Sequence, residues 1–146
     1  MAFPPKTPLL AVDGVVNLQN ESGDFLGIVL IERKYPPLGL ALPGGFVEVG
    51  EKAERALIRE MKEELGLDVV IVRQFRLYSD PNRDPRGIHV ASMVFECVAR
   101  GEPKAADDAK LARLFHYDSI PLEQLVFDHG KIVRDYLADP LAVFKK

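Results

Sequence analysis

The stretch Gly45–Leu67, GFVEVGEKAERALIREMKEELGL, decides how this chain is read. Its second half predicts a helix from about Lys52 to Leu65. Gly66 stops it, the residue type that commonly follows a helix C-terminus in a left-handed conformation. At about 100° per residue, with Glu60 at zero, Leu57, Met61, Leu65 and Ile58 fall between roughly 60° and 160°, and Lys52, Arg55, Arg59 and Lys62 between roughly 200° and 280°. The remaining arc holds Glu60, Glu63 and Glu64, all within about 100° of one another. Glu60 and Glu64 are like charges at i and i+4, which costs a free helix a few tenths of a kcal/mol.

A Glu-rich arc is ordinarily a solvated face. This one borders the apolar stripe instead of opposing it, its basic neighbours occupy a separate arc, and Gly44-Gly45 lies just upstream. That places the carboxylates at the rim of a cleft, where a divalent cation would offset their repulsion. Oxygen donors without His or Cys point to Mg²⁺ or Mn²⁺.

The intervals carry more. From Gly45, five residues lead to Glu51 and seven more to Arg59-Glu60; Met61, Glu63-Glu64, Gly66 and Leu67 complete nine specified positions over 23 residues. This pattern resembles the Nudix box, the one departure being Met61 where a branched aliphatic is usual. Met is apolar and fills the same packing role. The resemblance implies a Nudix-type αβα sandwich, of α/β (α+β) class, with a mixed sheet, two main helices and a loop-helix-loop metal site. By position in the box, Glu60, Glu63 and Glu64 would be metal ligands, with the Gly44 carbonyl as a further one and Glu48 joining them on the substrate. These three glutamates and Arg59 form the expected catalytic set, in which Arg59 and Glu51 pair to brace the loop on the helix.

Outward from the box, apolar runs Leu9–Leu18 and Phe25–Lys34 flank a polar Asn/Gly/Asp cluster and predict a β-hairpin. Runs Val69–Ser79 and Ile88–Arg100 predict a second strand pair around the loop Asp80–Gly87. The segment from Lys110 to Tyr117 and a final helix from Asp128, a plausible N-cap, to Ala138 follow. Hairpins together with two separated helices argue for helices packed on a mixed sheet.

The 146 residues fit one domain spanning 1–146, and 47% hydrophobic with 28% charged residues is ordinary globular composition. A net charge of -3 offers no global positive field for nucleic acid or anionic membrane. The start Met1–Lys6 has no signal-like apolar region, so a cytoplasmic location is expected. Cys97, the single cysteine, alternates with Met93 and Phe95 and reads as a buried core thiol. His89, His116 and His129 show no metal-ligand spacing and read as structural.

Substrate class has to come from outside the box. Ala41–Glu48, Ser79–Gly87 and Asp107-Asp108-Ala109 are similar to segments of ADP-ribose pyrophosphatases of this family, which implies hydrolysis of ADP-ribose to AMP and ribose 5-phosphate. Arg83 and Arg86 would reach phosphate or ribose hydroxyls, or else hold their loop through Asp80 and Asp84. The general base is either Glu60 or a carboxylate of the later loop, Asp107 or Asp108, the second of which would touch substrate. Tyr35, Tyr78 and Phe46 are candidates for stacking on a base, each weighed against a core role. Two further readings stand beside this one: a pyrophosphohydrolase of dinucleoside polyphosphates or damaged nucleoside triphosphates, and a non-catalytic ADP-ribose sensor, whose box is often degraded where this one is intact. A small-molecule nucleoside diphosphate is the expected partner, and a homodimer is expected by analogy with relatives.

Overall fold

Val12, Val15 and Val16 have no solvent exposure, so the strand that contains them must be covered on both faces. The computed structural model, which describes residues 2–104 and 112–144, shows how. The elements run β1 (Leu9–Gln19), β2 (Phe25–Glu32), β3 (Leu40–Ala41), β4 (Gly44–Phe46), α1 (Ala53–Leu65), β5 (Val70–Tyr78), β6 (Val90–Arg100), β7 (Ala112–Phe115), a 3-10 turn at Leu122–Gln124, and α2 (His129–Ala138). They form one mixed sheet in the order β3-β2-β1-β6-β5, with β4 joined to β1 and β7 to β2.

Strand β1 is the axis of the sheet. One edge pairs in parallel with β6 along its whole length, from Leu9 opposite Val90 to Gln19 opposite Arg100. The other edge is divided: Asn17–Gln19 pair antiparallel with β2, and Ala11–Asp13 pair with β4. The sheet therefore parts beside Asp13, where the glycine-rich β4 takes over from β2. The predicted hairpin of β1 and β2 is present, its turn fixed by the Asp24 N–H donating to Asn20 Oδ1 at 2.9 Å.

Alternate residues of each strand feed two cores. Val12, Val16, Val29, Phe95 and Cys97 meet Ala56, Leu57, Met61 and Leu65 of α1. Val15, Ile28, Leu30 and Val94 meet Ile132, Val133 and Tyr136 of α2 on the opposite face. The result is the expected αβα sandwich, with α1 on one face of a mixed sheet and α2 on the other. Helix α1 ends as read from the sequence, with Gly66 at φ +67° donating its N–H to the Lys62 carbonyl. The Cys97 thiol is fully buried, and burial pushes its pKa up to about 12.

Two details depart from the sequence reading. Strand β6 begins at Val90, two residues later than the apolar run suggests, because the His89 carbonyl turns to accept the Leu9 N–H at 3.1 Å. Asp128 does occupy the N-cap of α2, but its side chain makes no capping bond. Its carboxylate accepts instead from Arg83 Nε at 2.9 Å and Nη2 at 2.6 Å. A paired charge outcompetes a neutral backbone donor for that carboxylate.

Candidate active site

Helix α1 presents Arg59 at the centre of a five-way contact. Its Nε donates to Glu51 Oε2 at 2.8 Å and its Nη2 to Glu51 Oε1 at 3.0 Å, a fork on a carboxylate. Nη2 also donates to the Phe46 carbonyl at 3.2 Å, and Nη1 to Glu60 Oε1 at 2.9 Å and Glu63 Oε2 at 3.4 Å. The first set of bonds ties the loop after β4 to the helix, and the second set holds two of the three box glutamates. Its hydrogen bonds to Glu51, then to Glu60, drive the Arg59 pKa well above the ordinary arginine value. The Arg59 fork in turn holds Glu51 below the ordinary carboxylate range.

Glycines are needed where α1 meets the sheet. A Cβ on Gly45 would lie 2.4 Å from the Glu60 carboxyl carbon, and one on Gly44 would lie 2.2 Å from the Val12 carbonyl oxygen and 2.3 Å from Asp13 Oδ1. Gly44 also donates its N–H to Glu64 Oε2 at 3.2 Å, drawing the buried Glu64 toward β4. The bend at Pro43-Gly44-Gly45 is a seat for carboxylates.

From this seat a cleft opens, lined by Asp13, Gly44, Gly45, Phe46 and Glu64 together with Arg33, Arg83, Asp84, Arg86, Phe127 and His129. It lies where the edge of β1 passes from β2 to β4. Asp13 is 8% exposed and accepts from Ser92 Oγ at 2.5 Å. His129 accepts the Leu42 N–H on Nδ1 at 3.0 Å and sets Nε2 3.7 Å from Asp13 Oδ2. Complete burial lowers the His129 pKa, so the ring is neutral near pH 7.

The Asp80–Gly87 loop turns tightly, with the Asn82 N–H on Asp80 Oδ1 at 2.8 Å and the Arg86 N–H on Asp84 Oδ1 at 2.9 Å. Its two arginines part company. The Arg83 side chain is 4% exposed and forks onto Asp128 instead of Asp80 or Asp84, tying the loop to α2 where it lines the cleft. Arg86 donates to Asp84 Oδ1 from Nε at 3.0 Å and to Oδ2 from Nη2 at 2.8 Å, yet keeps 40% of its side chain exposed at the cleft mouth. That contact holds the Asp84 carboxyl below its ordinary range.

The NUDIX domain model matches residues 8–136. The chain belongs to the Nudix family. An ADP-ribose pyrophosphatase of Methanocaldococcus jannaschii is 48% identical over 133 residues, which cover 89% of this chain and 73% of that protein. A MutT/nudix family protein from Enterococcus faecalis superposes with a TM-score of 0.73 at 29% identity, covering 98% of this chain and 69% of that one. A bifunctional NMN adenylyltransferase/ADP ribose pyrophosphatase from Francisella tularensis, solved with AMP and a Mn ion, superposes with a TM-score of 0.74 at 26% identity, covering 92% of this chain and 42% of that one.

Nudix hydrolases use divalent metal ions, and the donors here suit one. Glu60, Glu63 and Glu64 supply only hard oxygens, and Gly45 leaves the Glu60 carboxylate a space that any Cβ would fill. Among the described residues no three acidic, His or Cys side chains already stand as a ligand cluster. Glu60 and Glu63 turn toward Arg59 while Glu64 turns toward Gly44. Glu63 is the most open of the three, with 59% of its side chain exposed.

The other predicted residues scatter. Glu48 is exposed on the loop, with its carboxylate 4.0 Å from Arg59. Asp107 and Asp108 lie outside the described residues. Of the three stacking candidates only Phe46 lines the cleft; Tyr78 is buried and donates to Asp135 at 2.9 Å, and Tyr35 lies exposed beyond β2. Of the cleft residues, Asp13, Arg33 and Phe127 escaped the sequence reading, which took His129 as structural. Asp13 did carry a signal, as the one carboxylate inside the otherwise apolar run of β1.

Proposed function

We propose that this Nudix hydrolase cleaves ADP-ribose to AMP and ribose 5-phosphate. What supports the reading is the cleft that gathers Arg33, Arg83 and Arg86 with Glu64 of the box and the Gly44-Gly45 turn, together with the 48% identity to the M. jannaschii ADP-ribose pyrophosphatase. Glu60, Glu63 and Glu64, with the Gly44 carbonyl, would hold Mg²⁺ or Mn²⁺. When bound, the metal neutralises diphosphate charge and makes a water acidic enough to activate near neutral pH.

The chain's own residues do the rest. Glu51 and Arg59 keep α1 and the β4 loop in fixed relation, so the three carboxylates act from one surface. Arg86 offers its exposed edge to a phosphate or a ribose hydroxyl, while Asp84 holds it in place. Arg83 positions that loop through Asp128. Glu48, on the loop rim, would approach the substrate diphosphate, and Glu60 would act as general base, unless Asp107 or Asp108 does.

A panel of nucleoside diphosphate derivatives and nucleoside triphosphates, incubated with Mg²⁺ and resolved by product mass, tests this reading. The expected result is the highest kcat/KM for ADP-ribose, with AMP and ribose 5-phosphate as products. Preference for a triphosphate with release of diphosphate would overturn the substrate and leave the hydrolase.

A further inference from the structure

Phe127 is the one non-glycine residue with positive φ among the described residues, at +56°. For a bulky side chain that conformation is strained, and such outliers persist where the surroundings hold them. The surroundings here are cationic. The guanidinium carbon of Arg33 lies 4.8 Å from the Phe127 ring centroid and that of Arg86 lies 5.4 Å from it. Both arginines and the ring line the cleft that contains Gly44 and Glu64.

Two guanidiniums sharing one ring repel each other. Arg33 shows it: desolvation first, then the charge of Arg86, lowers its pKa. The hydrogen bonds of Arg33 run from Nε and Nη2 to the neutral carbonyls of Pro37 and Pro36, at 2.8 and 3.5 Å. Those of Arg86 run from Nε and Nη2 to Asp84. Among the described residues neither Nη1 is hydrogen-bonded. The ring thus lies against two cations whose remaining donors are available in a cleft that Asp13, Glu64 and Asp84 also line. A ligand carrying two negative charges would relieve the repulsion, and a diphosphate is such a ligand.

We infer that Phe127 is a positioning residue, whose ring sets Arg33 and Arg86 as a two-guanidinium clamp on the phosphates of the substrate. The inference rests on the ADP-ribose reading for its substrate but not for its geometry. Phe127→Gly is the informative variant, because glycine accepts positive φ without strain while removing the ring.

Steady-state kinetics with ADP-ribose would compare the wild type with Phe127→Gly, Arg33→Ala and the double variant. Each single change should raise KM about tenfold with kcat within about twofold, the pattern of lost uniform binding. The double variant should lose clearly less than the product of the two single losses, because part of the ring's effect runs through Arg33 and only the part through Arg86 is left to lose. Phe127→Tyr should restore the wild-type KM. Added NaCl should raise KM more steeply in the wild type than in either single variant.

Calorimetric titration of metal-free protein with ADP-ribose gives a readout independent of turnover, with the same order of affinities expected. An unchanged KM in Phe127→Gly, or losses that simply multiply in the double variant, would overturn the clamp. If Phe127→Gly does not fold, Phe127→Leu keeps the bulk without the aromatic face and should show the same rise in KM. If the wild type prefers another diphosphate or a triphosphate, the substrate reading fails, and the same KM comparison on that substrate decides the clamp.

Discussion

A methyl group on Gly45 would land on the Glu60 carboxylate, so Gly45→Ala should move a ligand without removing one. We expect kcat to fall roughly 10–100-fold, as for lost supporting contacts at metal sites, with a higher metal concentration for half-maximal activity. Glu63→Gln or Glu64→Gln removes an anionic oxygen outright and should lower kcat by at least about a hundredfold with the fold intact. Circular dichroism alongside metal-titrated kinetics checks both; near-normal rates in the two glutamine variants would remove these glutamates from the site. Spacing in the box was enough to nominate them, because helical periodicity fixes which side chains share an arc. It could not show that Arg59 already grips Glu60 and Glu63, since that depends on where the β4 loop lies in space. Phe127 left no local signal at all: its positive φ comes from packing between Arg33, Arg86 and His129.

At the scale of elements, Arg83 and Arg86 stand three residues apart on one loop and should fail differently. Arg83→Ala leaves the Asp128 carboxylate at the start of α2 without its partner, in a mostly buried place. It should cost about 2–4 kcal/mol of stability, with kcat/KM on ADP-ribose nearly unchanged below the melting transition. Arg86→Ala should lower kcat/KM by one or two orders of magnitude, the loss of a charged hydrogen bond of ~1.5–3 kcal/mol, and should also lower Tm because Asp84 is left buried and unpaired. Thermal melts and kinetics on the two variants separate a tie from a contact. Strands and helices were legible because their apolar periods are local. The parallel pairing of β1 with β6 was not, since both strands read equally well as members of separate hairpins. Nor was the fate of Asp128, which sequence places at a cap and tertiary structure gives to Arg83.

For the whole molecule, metal and proton act on the same balance. A cation that binds only the native state should raise Tm with the logarithm of its concentration once that exceeds Kd, and EDTA should reverse the rise and abolish turnover. In metal-free protein, His129 makes stability depend on pH. Its folded pKa is lowered by burial from 6.5, so as pH falls below about 6.5 the unfolded chain takes up a proton that the native state refuses. Stability should therefore decline on going from pH 7 toward 5, and His129→Gln should be less stable at pH 7 but flatter across that range. Urea unfolding at stepped pH measures it, and an equal slope in both proteins would remove His129 as the source.

The pairing of β1 with β6 also sets the order in which the chain can assemble. Its partners are 81 positions apart, from Leu9 with Val90 to Gln19 with Arg100, so the central seam of the sheet cannot close until most of the chain exists. Local pieces such as the β1–β2 hairpin and α1 can form early, but contacts of such sequence separation slow the search for the native state. During synthesis from the N-terminus, β1 carries an open edge of apolar residues until β6 emerges. That interval is when this protein is most exposed to pairing with the wrong strand.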